Sequence, residues 1–410
     1  MGLDMTSFDA ALKAHYTDDT VMNLVYKDNP LLALMPKMEN FGGKNLPIPL
    51  IYGNPQGRSA TFSTAQTLGA SSSSQINDFV LTRVKDYSVA TIDNETLEAS
   101  KGNANAFMEA ATTEIDGAIN TLTRSLAVAL YRDGTGWIAQ VSAEPSEDTT
   151  TVIALKEAND VTNFEVGMSI VIYSAKTGGS ARIYDTGVSS GLISAIDRSA
   201  AAPTITVNTE YTSSGTIAAN DYLFPAGDRG LKLSGLDAWV PASAPSATTF
   251  FGVDRSVDTL RLGGNRYDGS ALPIEEALIE GAARAAREGA KIDHYFLNYE
   301  VYSELQKALG AKVQYVDLKA TAEIGFRGIQ INGPRGPINV VPDQNCQSDT
   351  AWGLQLNTWK LYSLGKAVRV IDTDGLQMLR QASSDGVEVR YGFYGQLGCR
   401  APGYNIRVSL

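Results

Sequence analysis

The longest periodic run in the chain is NANAFMEAATTEIDGAINTLTRSLAVALYR, residues 103–132. Its apolar side chains recur at steps of three and four, on one stripe of an α-helix: Met108, Ala111, Ile115, Ile119, Leu122, Leu126 and Leu130. At 1.5 Å per residue, such a helix spans roughly 45 Å. Asp133-Gly134 follows as a typical helix end. A helix of this length is too long to lie within one small globular domain.

The segment before this helix, residues 44–92, predicts a long β-hairpin. Its ascending arm, residues 44–51, contains Pro47 and Pro49, which confine it to a sheet edge or a bulge. The descending arm, INDFVLTRVKDYSVATI at 76–92, would reach roughly 50 Å at about 3.3 Å per residue. A two-stranded ribbon of this length is marginally stable and leaves two edges bare. We therefore expect it to need partners, because the chain offers no obvious cover.

The first 40 or so residues resemble an extended arm with short helices rather than a domain. One apolar helix side is formed by four residues before Asn29-Pro30: Val21, Met22, Leu24 and Val25. Asn29-Pro30 should end this helix, since the residue before proline is pushed out of helical geometry. The arm has too little apolar surface to stand alone, so it must lie on something else.

Residues 137–229 differ in composition, being rich in Ser, Thr, Gly and Ala. Short apolar runs recur here at regular spacing, at 166–173, 191–197, 204–207 and 221–224. Short strands separated by turn residues are typical of a small β-barrel or sandwich. We expect this unit to be inserted into the main fold.

From residue 270 the pattern is mixed α/β. Pro273 begins a helix whose first turn carries Glu275 and Glu276, where acidic side chains favour the helix dipole. A strand from Ile292 to Leu297 and a helix capped by Asn298 follow, and the C-terminal region alternates apolar and polar residues.

The composition bounds the function. The chain has 410 residues, which predicts two or three packed units. Its net charge of −11 argues against a general nucleic-acid binder, which needs a basic face. The N-terminus is not a secretory signal, and no apolar run is long enough to span a membrane. Cys346 and Cys399 are compatible with a disulfide, but a reduced cytoplasmic pair is the expectation.

Motifs that carry chemistry are scarce. Residues 53–59 only distantly resemble a phosphate-binding loop, and Asp372 to Gly375 reads as a β-turn rather than a calcium loop. His15 and His294 are too few for a histidine metal site. Glu275, Glu276 and Glu280 are explained by the helix dipole and by solvation. We therefore predict no catalytic, cofactor-binding or metal residue, no cofactor and no enzyme activity.

The order of these elements resembles the major capsid protein of tailed bacteriophages, a fold shared with encapsulins and the herpesvirus capsid floor. The most family-like segments are the helix begun by Pro273 after Gly269-Ser270, residues 338–343 (INVVPD) and residues 396–402 (QLGCRAP). The resemblance implies an α+β fold with an N-arm, a long E-loop hairpin, a spine helix, peripheral and axial domains, and an inserted all-β domain.

The resemblance also implies a division of the chain. The predicted parts are the arm at 1–43, the E-loop at 44–92, the peripheral domain at 93–136 with the spine helix at 103–132, the inserted β-rich domain at 137–229, peripheral strands at 230–269, the axial domain at 270–380, and the C-terminal peripheral strand at 381–410.

By the same resemblance, the chain self-assembles into pentamers and hexamers of an icosahedral shell around phage double-stranded DNA, which it contacts non-specifically. A portal protein and a scaffolding protein are implied partners, and a decoration protein is a further candidate. Since the arm begins at Met1, scaffolding is expected to be a separate protein. The implied location is the virion, with assembly in the host cytoplasm and no membrane contact. Two alternatives are an encapsulin-like cargo shell and a carbohydrate-active enzyme or adhesin with a β-rich binding module.

Overall fold

The computed structural model describes residues 28–93, 95, 104–145, 150–182, 189–199, 202–209, 217–310, 315–319, 325–372, 378–381 and 384–410. The helices in these ranges are α1 (Pro30–Leu34), α2 (Phe62–Ser71), α3 (Ala104–Tyr131), α4 (Leu236–Trp239), α5 (Ile274–Arg287) and α6 (Tyr299–Leu309). The strands are β1 (Lys37–Met38), β2 (Asn45–Gly53), β3 (Gln75–Thr82), β4 (Val84–Asp93), β5 (Ala139–Gln140), β6 (Thr151–Ala154), β7 (Ser169–Tyr173), β8 (Ser190–Asp197), β9 (Thr204–Val207), β10 (Tyr222–Pro225), β11 (Thr249–Phe250), β12 (Val253–Asp254), β13 (Asn265–Asp268), β14 (His294–Leu297), β15 (Tyr315–Lys319), β16 (Gly325–Gly333), β17 (Gly336–Pro342), β18 (Thr350–Leu354), β19 (Trp359–Ser363), β20 (Arg369–Val370), β21 (Met378–Arg380), β22 (Gly386–Cys399) and β23 (Ile406–Ser409).

The long helix predicted at 103–132 is present as α3, residues 104–131. The described part of its apolar stripe is buried, with Ile115, Ile119, Leu122, Leu126 and Leu130 all in the main core. The side chains of Met108 and Ala111 lie outside the described residues. The helix ends before Gly134, whose φ of +85° is a conformation that glycine adopts without strain.

A six-stranded sheet packs against this helix. Strand β22 is its centre: the sheet order is β1-β19-β22-β20, and β4 and β21 also pair with β22. Strand β4 pairs antiparallel with β22 over its whole length, from Asp93 opposite Gly386 to Val84 opposite Gly395. The helix covers the face of β4 that carries the buried Ala90 and Ile92.

The predicted E-loop hairpin at 44–92 is wrong in its extent. The descending arm is broken at Arg83: β3 pairs with β2, whereas β4 belongs to the six-stranded sheet. The break has a physical cause, because Arg83 donates to the carbonyl oxygen of the buried Phe41 (2.8 Å) and fixes the corner. The two-stranded hairpin therefore spans 45–53 and 75–82. Its tip, expected to be a polar loop, contains helix α2.

The second large sheet has seven strands in the order β13-β23-β18-β14-β17-β16-β15. Helices α5 and α6 pack on it and share a second core. Helix α5 begins after Pro273 with Glu275 and Glu276 in its first turn, as predicted. The Asn298 side chain caps α6 by accepting from the Glu300 N–H (3.1 Å).

Sheet membership differs from the predicted domain limits at three places. Strands β19 to β21, within the predicted axial segment 270–380, lie in the six-stranded sheet. Strands β13 and β23, within the predicted peripheral segments 230–269 and 381–410, pair with each other in the seven-stranded sheet. The cause is pairing between strands distant in sequence, which local periodicity does not encode.

Strands β5 to β10 form a six-stranded sheet in the order β5-β10-β7-β8-β9-β6. The two end strands meet, because Val141 bridges Leu155 and the backbone N–H of Ser142 and Lys156 donate to Ala154 and Gln140. This contact closes the sheet into a small barrel. All four runs predicted as strands overlap β7, β8, β9 and β10. The barrel has its own apolar core, which Val128 of α3 joins.

The arm becomes part of the body from Pro30 onward. Its residues up to 27, including the apolar helix side predicted at 21–25, lie outside the described residues. Pro30 begins the short helix α1, since proline is tolerated at the first helical position. Leu31, Leu32 and Met35 are buried in the main core, so this part of the arm does lie on the rest of the chain.

Cys346 and Cys399 are free thiols, as expected. Both are fully enclosed, and burial raises the pKa of each, to about 12 for Cys399. No helix in the described ranges is long and apolar enough to cross a membrane.

Candidate functional site

The hairpin is the first candidate surface, and its base is anchored in the subunit. Its inward-facing residues Ile48, Leu50, Phe79 and Leu81 are buried. The Phe79 ring meets Trp239 edge to face, with centroids 5.0 Å apart. The expectation that the chain offers no cover is therefore wrong for this base.

The distal part of the hairpin is exposed. Helix α2 buries none of its residues, and the Phe62 ring is 83% exposed. Ile51 and Ile76, which pair across the two strands, are 63% and 59% exposed. The tip nevertheless has internal order, because the Gln56 N–H donates to Ser72 Oγ (3.0 Å). An ordered element with uncovered apolar side chains is typical of a surface that binds another protein.

A buried carboxylate joins the arm, the long helix and the seven-stranded sheet. Asp343 Oδ2 accepts hydrogen bonds from the Leu31 backbone N–H (3.3 Å) and from Tyr131 Oη (2.9 Å). Asp343 Oδ1 accepts from the backbone and side-chain nitrogens of Asn345 (2.9 and 3.1 Å). Asp343 follows β17, so one side chain fixes three separate elements.

Burial raises the pKa of the Asp343 carboxyl, and the hydrogen bonds from Asn345, Tyr131 and Leu31 oppose this rise. Since the folded-state pKa lies above the unfolded value, the protonated form contributes stability below the unfolded value, about pH 3.9. That contribution is lost as pH rises through the folded pKa.

This sign gives a measurable pH dependence. Relative to wild type, Asp343→Asn should become progressively more stable as pH rises above about 3.9. The total change is about 1.4 kcal/mol for each pH unit by which the folded-state pKa of Asp343 exceeds its unfolded value. Urea unfolding at several pH values measures the difference. Asp254→Asn is the matched control, because hydrogen bonds from Ser256 lower the pKa of Asp254, and its difference should have the opposite slope. A pH-independent difference for Asp343→Asn would contradict the prediction.

Lys232 forms a second junction, which is partly buried. Lys232 Nζ lies 2.7 Å from Asp86 Oδ2, 2.7 Å from Ser125 Oγ and 3.0 Å from Asp228 Oδ2. These partners belong to β4, to α3 and to the segment that leaves the barrel. Burial raises the pKa of Asp228, and Lys232 opposes that rise. The network links β4, the strand that follows the hairpin in the chain, to the long helix α3.

The barrel is attached to the body through charged and aromatic contacts. Arg132, at the end of α3, pairs with Asp160 (2.6 Å), and its guanidinium lies 3.9 Å from the Trp137 ring centroid. On the other side, Asn159 Nδ2 donates to Glu300 Oε2 (3.0 Å). A polar cavity of about 240 Å³ lies between these contacts. These contacts are among those that hold the barrel against the rest of the chain.

The sequence predicted no catalytic or metal residues, and the residues it considered lie apart. His294 is in β14, where its Nδ1 lies 3.0 Å from Asp293 Oδ1, and Glu280 accepts a hydrogen bond from Tyr267 Oη. No group of His, Cys, Asp and Glu in the described ranges could hold a metal ion. Sequence reasoning missed Asp343 and Lys232, because their partners come from distant segments.

The family is defined by a sequence profile described as SU10 major capsid protein, which matches residues 170–398. The match covers more than half of the chain and includes most strands of both large sheets and four strands of the barrel, in whole or in part. The match therefore places this chain in the class of viral capsid subunits. The chain belongs to the SU10 major capsid protein family.

Solved structures similar to this chain include capsids and an encapsulin. The capsid asymmetric unit of cyanophage A-1(L) has a TM-score of 0.49 at 12% identity and covers 93% of this chain and 92% of its own. The SrpI encapsulin of Synechococcus elongatus has a TM-score of 0.46 at 6% identity, covering 98% and 94%. Mycobacterium phage Ogopogo has a TM-score of 0.41 at 9% identity, covering 92% and 90%. No curated protein matches the chain.

Family membership confirms the predicted capsid fold and function. The chain is a structural subunit of a self-assembling icosahedral shell, with a non-enzymatic role and a location in the virion. This function is favoured over both the cargo shell and the carbohydrate-active protein.

Proposed function

We propose that this subunit forms the pentamers and hexamers of the shell and that its hairpin supplies a contact between neighbouring subunits. The observation that carries the proposal is the contrast between a buried hairpin base and an exposed tip. Phe62, Ile51 and Ile76 have no cover comparable to that of Phe79, and a second copy of the chain would supply it. Repeated contacts of this kind close into rings when the rotation between copies closes.

The proposal extends to the contents of the shell. A net charge of −11 suits a wall that encloses double-stranded DNA, because an acidic surface does not adhere tightly to a polyanion. Contacts with the packaged DNA would then be non-specific. Assembly would take place in the host cytoplasm, with a portal protein and a separate scaffolding protein as partners and a decoration protein on the outer surface.

Negative-stain microscopy of the purified full chain tests the proposal. Closed shells, or rings of five and six subunits, would support it. A soluble monomer that binds glycans would instead favour a carbohydrate-binding function for the barrel, and shells loaded with a protein cargo would favour the encapsulin-like alternative.

We also propose that residues 137–229 are an inserted β-rich domain that projects from the shell and is dispensable for its basic geometry. The closed barrel and its separate apolar core support this assignment. Gly134 and Gly136, with φ of +85° and +87°, precede the segment, and Gly227 and Gly230, with φ of +90° and +73°, flank its end, so both junctions use backbone conformations suited to glycine.

Expressed alone, residues 137–229 should fold without disulfides, because a closed barrel satisfies its backbone hydrogen bonds internally. The measurement is amide dispersion in an NMR spectrum. Loss of Val128, which joins the barrel core from α3, should lower stability without preventing folding. A collapsed, undispersed spectrum would show that the segment depends on the main fold.

A further inference from the structure

The base of the hairpin has two sheet edges that no other strand covers. Strands β2 and β3 form a two-stranded sheet, and no further strand in the described ranges pairs with either of them. An uncovered strand edge presents backbone N–H and C=O groups that can pair with a strand of a second copy. In a shell built from many copies of one chain, such pairing would compete with the contacts that close the shell. The backbone groups on these two edges therefore decide how copies can meet.

The register of the hairpin shows which residues of β2 direct their backbone outward. The Val80 N–H donates to the Phe251 carbonyl oxygen (2.9 Å), outside the hairpin, so Val80 and its partner Pro47 are not hydrogen-bonded to each other. Because hydrogen-bonded and non-hydrogen-bonded pairs alternate in an antiparallel sheet, Pro49 opposite Asp78 is a pair of the same kind. Both prolines thus occupy positions at which the backbone nitrogen points to the outer edge of β2.

Proline at these two positions removes hydrogen-bond donors from the outer edge of β2. Neither Pro47 nor Pro49 has an N–H, and the ring of each occupies the space that the carbonyl oxygen of an added strand would need. Both prolines are exposed, whereas the neighbouring Ile48 and Leu50 are buried. The prolines are therefore not needed to fill the core, and their position on the edge accounts for them better than packing does.

The outer edge of β3 is closed by different means. The Asp78 N–H donates to Asn77 Oδ1 (2.9 Å), and the Val80 N–H is bound by the carbonyl oxygen of Phe251. Phe251 has a φ of +47° in the tight turn between β11 and β12, a conformation that a bulky residue rarely adopts. Its ring packs against Trp239, with centroids 5.7 Å apart. An unfavourable backbone conformation thus places the acceptor for one outward N–H of β3.

We propose that Pro47 and Pro49 are specificity residues for assembly, because they keep the outer edge of β2 closed to strand pairing with a second copy of the chain. Since the edge of β3 is closed as well, the hairpins of two subunits cannot join into one continuous sheet. Contacts between copies are then left to side chains. The large apolar side chains that are exposed on the hairpin lie beyond both prolines: Ile51, Phe62, Leu68 and Ile76. The proposal concerns the edge alone and does not require the tip to be an assembly contact.

Restoring both donors in the full-length chain tests the proposal. Pro47→Val combined with Pro49→Val adds two outward N–H groups and side chains that favour strands. Pro47→Lys combined with Pro49→Lys is the matched control, because it restores the same donors but places charges on the edge, which oppose pairing between copies. Both positions are exposed, so both variants should fold, and circular dichroism of the soluble subunit measures this.

The valine variant should sediment as large open aggregates. Wild type and the lysine variant should give the same species as each other, either closed shells or soluble subunits. Sedimentation and negative-stain microscopy measure the difference. The wild-type species from the valine variant would overturn the proposal. Aggregation of both variants would overturn it too, because loss of proline rather than an open edge would then be the cause.

Amide hydrogen exchange identifies the surface through which the valine variant associates. The amides at positions 47 and 49 should be protected in the aggregates and exchange rapidly in the lysine variant, because only strand pairing would give them a partner. Rapid exchange at both positions within the aggregates would place the contact elsewhere and overturn the proposal.

A shortened hairpin separates this inference from the function proposed for the tip. In subunits with residues 54–75 replaced by Asn-Gly, the valine variant should still aggregate, because the edge at positions 47 and 49 does not include the tip. Aggregation that disappears with the tip would overturn the edge proposal. Shells that form without the tip would instead count against the tip contact and leave the result for the edge unchanged.

Discussion

Subunits in which Asn-Gly replaces residues 54–75 should fold and remain soluble but form no closed shells. The replacement removes α2 and the exposed tip while keeping the buried base, Ile48, Leu50, Phe79 and Leu81. With Tyr52 and Gly53, Asn-Gly gives a four-residue connection between the paired Ile51 and Ile76, so the shortened strands can keep their register. We expect the loss of assembly to be complete, because each subunit of a closed shell would lose the same contact. Sedimentation and negative-stain microscopy measure it.

A point variant separates the tip's apolar surface from its length. Phe62→Ser removes one ring that is 83% exposed, so it should weaken assembly without lowering the stability of the subunit. Val166→Ser, at an exposed position on the barrel, is the matched control and should assemble normally. Shells of normal size and yield from the 54–75 replacement would disprove a role for the tip in assembly.

The parts of the fold that were predictable from sequence are those with a local signal. The helix at 104–131 follows from a stripe that repeats every three or four residues, and the barrel strands follow from short alternating runs. The Asn298 cap and the Glu275-Glu276 first turn were likewise readable, because their partners lie within a few residues.

The parts that failed depend on distant partners. From sequence, 76–92 reads as one strand, because neither the pairing of β4 with β22 nor the bond from Arg83 to Phe41 leaves a local signal. Asp343 gives no local sign that its carboxylate will meet Leu31 and Tyr131, which lie more than 200 residues away along the chain. The pairing of β13 with β23 is equally non-local. Junctions between elements were therefore the least predictable features, although they position the hairpin and the arm.

The second large effect is expected in the long helix. Leu126 lies at the centre of the apolar stripe of α3 and is 1% exposed. Leu126→Asp would place a carboxylate in a dry site and remove a large apolar side chain at once. Each change alone costs several kcal/mol, and together they should exceed about 5 kcal/mol, which is comparable to the whole stability of many domains. We expect insoluble or unfolded protein rather than soluble subunits that fail to assemble.

Thr121→Asp provides the control for this prediction, because Thr121 is exposed on the same helix and the substitution adds the same charge. That variant should fold and assemble, since an exposed carboxylate stays hydrated. Circular dichroism of the soluble fraction distinguishes the outcomes. The contrast with the hairpin is informative, because both regions are apolar: the tip should tolerate a polar residue with loss of assembly only, whereas the helix should lose its fold. Well-folded soluble Leu126→Asp subunits would show that the stripe of α3 is not essential core.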